Sequence, residues 1–257
     1  MRLDVALTPT LLADFPGRVC IVVDVLRASS TIVTMLERGA QEVLLAPTIE
    51  EARSSLHREL PRYLLCGEEG GLPPSGFDYG NSPSEFDALD LKGQRAILCT
   101  SNGTRAILAA ADAPLVLVGC LLNATAVASA SCREAAARGL GIAVVCAGEE
   151  GGSAFAAEDA LGAGAIVDAI VDSSRRWPTA SETTDEARAA LEYYRAQRGR
   201  EETALQETAH GRDLLALGLG QDVAFCARRD KFSAVPRLQR DERDRLVLRA
   251  YSSGSSG

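Results

Sequence analysis

Four loops of the chain gather the residue types that handle anions and hard cations. The first, "DVLRASST", offers Asp24, Arg27, Ser29, Ser30 and Thr31 directly after an apolar run. The second, "GEEGG", carries Glu68 and Glu69 and leads on to "GFDYGNSP", with Asp78, Asn81 and Ser82. The third, "CTSNGTR", runs from Cys99 to Arg105 and contains Asn102, Gly103 and Thr104. The fourth, "AGEEGGSAFAAED", ends on Glu158 and Asp159. Carboxylates, hydroxyls, an arginine and flexible glycines together suit an anionic ligand bridged to a divalent cation. Oxygen donors select Mg2+, and an oxygen of a bound phosphate would complete its shell.

Two phosphate chemistries can be tested on these letters. Cys99 and Arg105 stand with five residues between them, between an apolar run and a helical one. That is the spelling of a thiolate phosphatase loop, in which a helix N-terminus lowers the thiol pKa. However, "TSNGT" has one glycine to shape a cradle, and the spacing arises readily by chance in a chain with seven cysteines. An aspartyl-phosphate enzyme of the haloacid dehalogenase type needs a second acid two residues after the first, where Asp24 is followed by Leu26. That reading fails.

Ordinary structural duties compete for the same residues. Ser, Thr, Asp and Asn after strands cap helices, Asn102-Gly103 forms turns, and Glu158 and Asp159 suit the positive end of a helix dipole. Asp24 is harder to explain in this way, because a carboxylate closing an apolar strand needs a partner or a metal. His57 and His210 read as surface or capping residues.

The elements that must position these loops follow from periodicity. Strand 18–26 leads to a helix ending on Gly39, strand 42–46 to a helix capped by Thr48, and strand 62–67 to a Gly/Pro-rich loop. Strand 95–99 precedes a helix from about Thr104, strand 115–119 a helix over 124–138, and strand 141–147 a helix over 157–171. Such alternation predicts an α/β fold with a mostly parallel sheet covered by helices on both faces. Ligands of such sheets collect at the carboxyl ends of the strands, and all four loops lie there. The recurring strand, polar loop and helix leave room for two similar α/β halves. Residues 172–213 turn polar and helical with a break at Pro178, as a helical cap or a flank of one domain over 1–251; the tail 252–257 is set aside.

Composition narrows the partners. A net charge of −8 without a Lys/Arg stripe argues against nucleic acid. No apolar stretch is long enough to span a membrane. The seven cysteines form no CxxC pair and no disulfide spacing, which suits a reducing cytoplasm.

Taken in order, "VVDVLRASSTIV", "CGEEGGLPPSGFDYGNSPSEF", "TSNGTRAI" and "CAGEEGGSAFAAEDALGAGAIV" resemble the 2-phosphosulfolactate phosphatase (ComB-like) family. The tail "HGRDLLALGLGQDVAFCARRDKFSAVP" is similar to that family's C-terminal end, so the match covers about residues 3–240. The resemblance implies a three-layer α/β/α architecture, oligomers, and a Mg2+-dependent phosphatase. Its substrate would be (R)-2-phospho-3-sulfolactate and its products 3-sulfolactate and phosphate, a step of coenzyme M biosynthesis in methanogens. Residue by residue, Asp24, Arg27, Ser29 and Ser30 match D-V-L-R-A-[ST]-[ST], and Asn81 and Ser82 match G-N-S-P. Asn102, Gly103 and Thr104 match T-N-G-T, and Glu158 and Asp159 match E-D. Two positions depart: Glu69 replaces a usual basic residue, which leaves the substrate open, and Cys99 stands where the family has a small residue, which weakens the thiolate reading.

The expected site therefore holds Mg2+ between Asp24, Glu68 and Glu158 or Asp159. Arg27, the Ser29 and Ser30 hydroxyls and the N–H groups of "SNGT" would hold the phosphate. Water is the preferred attacker, with an Asp24 phosphoenzyme as the other route. Another small phosphorylated carboxylic acid as substrate, or a non-catalytic anion-binding relative, are the alternative readings.

Overall fold

The β-branched runs become strands because they are apolar on both faces. In the computed structural model, which describes residues 2–11, 17–59, 63–173 and 182–252, ten strands form one sheet. They are β1 (Arg2–Ala6), β2 (Arg18–Val23), β3 (Glu42–Leu45), β4 (Tyr63–Gly67) and β5 (Arg95–Cys99), followed by β6 (Leu115–Gly119), β7 (Gly141–Cys146), β8 (Glu182–Thr183), β9 (Pro236–Arg240) and β10 (Leu246–Ala250). The spatial order is β4-β5-β3-β10-β9-β6-β2-β7-β1-β8. Strands β4, β5 and β3 pair in parallel, as do β6, β2, β7, β1 and β8. The antiparallel hairpin β9–β10 joins the two groups.

Among the described residues the helices are α1 (Ala28–Glu37), α2 (Ile49–Glu59), α3 (Pro83–Asp87), α4 (Gly103–Ala109) and α5 (Ala124–Arg138), then α6 (Ala157–Ser173), α7 (Asp185–Gln197), α8 (Glu201–Gln206), α9 (Ala209–Ala216) and α10 (Gly220–Cys226). Strand periodicity divides the core between them. Val19, Ile21 and Val23 of β2 pack with α5, α6 and α7, while Cys20 and Val22 pack with α1, α3 and α4. Ala52 of α2 covers Leu44, Leu65 and Ile97 at the other end of the sheet. The result is the expected three-layer α/β/α sandwich with a mostly parallel sheet.

Several boundaries differ from expectation, each for a local reason. Strand β2 ends at Val23 because the Asp24 carboxylate accepts the Ala28 N–H at 3.0 Å and turns the chain into α1. In the polar stretch after 182, α7 buries Ala187, Ala190 and Tyr194 in the same cluster as α6 and β1. Gly164 permits that approach, since a Cβ there would lie 2.1 Å from the Ala190 carbonyl oxygen. Strand β1 and the β9–β10 hairpin have no counterpart in the sequence reading. Pro178 and residues 253–257 lie outside the described residues, as does the side chain of His57.

At the N-terminal edge of β3, Glu42 ties together three neighbouring strands. It accepts from Tyr63 Oη of β4 and from Arg249 of β10 at 2.9 and 2.6 Å, with Arg95 of β5 at 3.7 Å. Burial pushes this carboxyl up, but the Tyr63 and Arg249 hydrogen bonds outweigh it and hold the pKa below the ordinary 4.5. A carboxylate lowered on folding contributes stability above its ordinary pKa and loses it as pH falls through the folded value. Glu42→Gln is therefore expected to be less stable than the parent at pH 7. Denaturant titrations should show the difference closing below about pH 4.5; a gap independent of pH would contradict the pairing.

Candidate active site

The loops after β2, β4, β5 and β7 meet at one rim. After β2, Asp24 is buried at 7 % exposure and its loop is closed by local bonds. Its backbone N–H donates to Ser29 Oγ at 2.9 Å, and Ser30 Oγ donates to the Val25 carbonyl at 2.8 Å. Both serines are fully buried with their hydroxyls turned to backbone, so the structure does not bring them to the rim as phosphate ligands. Asp24 Oδ1 takes the Ala28 N–H, while Oδ2 faces the start of α4, 2.5 Å from where a Gly103 Cβ would stand. Burial first of all raises the Asp24 pKa, against the Ala28 hydrogen bond and the nearby His210 and Arg27.

Two other acids staple loops to one another. Glu68 Oε2 accepts the Gly71 N–H at 3.0 Å, and its Oε1 accepts the Ser101 N–H at 2.8 Å. Asp159 accepts the N–H groups of Val25 at 2.8 Å and Gly148 at 3.0 Å, one on each oxygen. Asn102 Oδ1 accepts from Gly151 N–H at 2.9 Å, which ties α4 to the loop after β7. Thr104 is fully buried and shares its hydroxyl with Thr100 at 3.0 Å. Of the "SNGT" amides, Ser101 is spent on Glu68 and Thr104 on Thr100 Oγ1, which leaves those of Asn102 and Gly103 as the opening donors of α4.

The ligand set read from sequence meets only in part. Glu158, 2 % exposed at the start of α6, lies with Glu149 and His210 so that one ligand atom of each falls within 4.8 Å of the others. His210 Nδ1 is 3.7 Å from Glu158 Oε1. Burial raises the Glu158 carboxyl, and burial together with Asp24 and Glu158 raises Asp159 well above the usual range. His210 is thus a rim residue rather than a surface or capping one; the cap of α9 is Thr208, which accepts the Gly211 N–H at 3.0 Å. Glu149 was present in the quoted loop, and His210 opens the tail that resembles the family. Those were the available signals. Glu68, Gly71, Asn102, Glu149 and His210 line a cleft of about 310 Å³.

Arg27 lies beneath the Gly71 strap at 4 % exposure. Its Nη1 donates to Asp222 at 2.8 Å and its Nη2 to the Gly71 carbonyl at 2.5 Å. Ser82 caps α3 and also donates to Asp222 at 2.7 Å, while the buried Asn81 Oδ1 has no partner among the described residues. Glu69 is exposed and borders the neighbouring cleft with Glu50, Ser101 and Arg105 rather than the one containing His210.

Cys99 packs at the end of β5 with Leu65 and Ile97, and burial pushes its thiol up to about 11. A thiol so raised is not a thiolate at neutral pH. Cys99→Ser should retain turnover within about twofold, and iodoacetamide at pH 7 should leave activity intact. Loss of turnover in a folded Cys99→Ser protein would restore the thiolate reading.

A rim of buried acids that could hold a cation, with a buried guanidinium beside it, suits a phosphate-handling α/β enzyme. Comparison gives the family: the family model described as 2-phosphosulpholactate phosphatase matches residues 6–241, and the chain belongs to that family of phosphoric monoester hydrolases. It is 38% identical over 239 residues to a probable 2-phosphosulfolactate phosphatase of Deinococcus radiodurans, covering 93% of each chain. A protein of the same description from Carboxydothermus hydrogenoformans is 34% identical over 248 residues, covering 96% of this chain and 97% of the relative. One from Pseudothermotoga lettingae is 38% identical over 224 residues, covering 87% and 90%. No helix among the described residues is long and apolar enough to cross a membrane.

Proposed function

We propose that the chain hydrolyses 2-phosphosulfolactate to 3-sulfolactate and phosphate with the help of a divalent cation, Mg2+ being the ion its oxygen donors favour. The observation that carries this reading is the meeting of Glu149, Glu158 and His210 beside Asp24 at the rim of a family member. Asp159 is buried within the fields of both Asp24 and Glu158, so the pocket has a charge deficit that a cation fits. Glu149 and Glu158 would hold it through oxygen, with His210 as the third donor. When bound, the cation offsets the charge of the phosphate and polarises its oxygens.

The remaining work falls to the chain's own groups. Arg27 supplies a buried positive charge for the phosphoryl oxygens, where charge accumulates in the transition state. The amides of Asn102 and Gly103 supply further donors for the same group. Asp24 Oδ2 is the group that takes the proton from an attacking water, and burial, which raises its pKa, makes it a stronger base than an exposed carboxylate. The substrate would be a small phosphorylated acid carrying a sulfonate or carboxylate.

The test is phosphate release from 2-phosphosulfolactate, phospholactate, phosphoglycolate and an aryl phosphate, each with EDTA and with Mg2+ restored. The highest kcat/KM should fall on 2-phosphosulfolactate, and all turnover should stop in EDTA. Undiminished activity in EDTA would overturn the cation. Preference for phospholactate would move the assignment to another phosphorylated acid, and no turnover on any substrate would leave an anion-binding relative.

A further inference from the structure

The carboxylate of Asp222, on α10, is 1 % exposed and receives four donors. Arg27 Nη1 reaches Oδ2 at 2.8 Å, and Ser82 Oγ, Ser84 Oγ and the Ser84 N–H reach Oδ1 at 2.7, 2.5 and 3.2 Å. The side chains of Arg27 and Asp222 are only 3 % and 2 % exposed, so the pair is fully desolvated. Such a pair is weak support for a fold, because taking both charges out of water offsets most of their attraction. What it does fix is direction. With Nη1 held by Asp222 and Nη2 by the Gly71 carbonyl, the guanidinium cannot rotate, and it stays within the field of Asp24.

We propose that Asp222 is the positioning residue for Arg27: it aims the guanidinium at the anionic substrate and locks the Ser82–Ser84 turn to the same point. Two loops distant in sequence, the one after β2 and the one running from β4 to α3, are brought to one charge by a residue that arrives on a third element. Gly71 borders both the cleft over Arg27 and the one containing His210, so the aim of Arg27 is set at the boundary between them. This inference rests on the reading that Arg27 contacts the substrate anion.

The test is a double-mutant cycle with Asp222→Asn, Arg27→Ala and the double variant. KM for 2-phosphosulfolactate, the inhibition constant of inorganic phosphate and thermal stability are read for each. Asp222→Asn should raise KM and the phosphate inhibition constant by at least about tenfold, with a smaller change in kcat, because positioning acts on the bound anion. In the Arg27→Ala background the same change should alter KM by less than about twofold, since the group it acts through is gone. Stability should rise in the double variant over Arg27→Ala alone, as an unpaired buried carboxylate is removed. Should Asp222→Asn fail to fold, Ser84→Ala removes one of the four contacts more gently, taking away the hydroxyl donor and keeping the N–H. It should raise KM about threefold in the parent and not at all with Arg27→Ala. Losses that multiply in the double variants, or a parent-like KM in Asp222→Asn, would overturn the proposal. An Arg27→Ala enzyme with unimpaired kcat/KM would instead refute the underlying role of Arg27.

Discussion

Gly103→Ala is expected to lose at least about 100-fold in kcat/KM while the protein still folds. Local rules point the other way. Gly103 opens α4 and is not among the residues with positive φ, so alanine suits its backbone and should favour the helix by up to about 1 kcal/mol. The obstacle is what its Cβ would meet: Ala28 Cβ and Asp24 Oδ2, each at 2.5 Å, and Asp24 Cγ at 3.1 Å. Neither neighbour is the free end of a flexible chain. Asp24 Oδ1 is anchored to the Ala28 N–H, and the start of α1 is buried. Relief must displace the carboxylate, the loop or α4, and a shift of about 1 Å at reacting groups is enough for that loss of rate. Overpacking would cost about 1–3 kcal/mol of stability as well. Steady-state kinetics with thermal unfolding separate the two effects; parent-like turnover would remove Asp24 from the chemistry.

Glu158→Gln carries the second large effect: turnover falls by at least about 1,000-fold, and the protein no longer gains stability from the metal. The parent should gain about 2.7 kcal/mol against unfolding when Mg2+ is present at 100 times its Kd. The variant keeps the shape of the side chain and removes its charge. Without metal, burial penalises a charge on Glu158 and that charge acts on the buried Asp159, so the metal-free variant should be the more stable of the two in EDTA. Thermal scans in EDTA and in Mg2+ check both statements. An equal metal-induced rise in parent and variant would place the ion elsewhere.

The parts of this molecule legible in its sequence are those whose cause is local. Strands 115–119 and 124–138 as a helix follow from unbroken apolar runs and period, and Thr48 accepts the Glu51 N–H at 3.1 Å as its spacing implied. Asp24 stood out because a carboxylate ending an apolar strand has no local reason to be there. The β9–β10 hairpin was illegible because its residues are mixed polar and apolar; what makes it a central pair of strands is the gap between two parallel groups. His210 and Asp222 were missed for the same reason. Neither sits in a loop after a parallel strand, and each reaches the rim only because α9 and α10 pack back over it. In the other direction, Ser29, Ser30 and Thr104 look like ligands by residue type, yet their hydroxyls close the backbone of the loops that carry the site. A motif fixes which loop matters before it fixes which atom does.

The place of β9 and β10 also bears on the order in which the molecule can assemble. Residues 236–250 are made after every other strand, yet they fill the middle of the sheet. Until they emerge, β3 and β6 each present an open edge, and no strand pairing joins the two parallel groups. Half-made chains are thus two partial sheets exposed to pairing with the wrong neighbour. Refolding must close contacts between nearly the whole length of the chain before the rim exists, which predicts slow folding for its size. A nascent chain stalled before Pro236 holds Asp24, Glu158, His210 and Asp222, but not the seam that sets their halves in register.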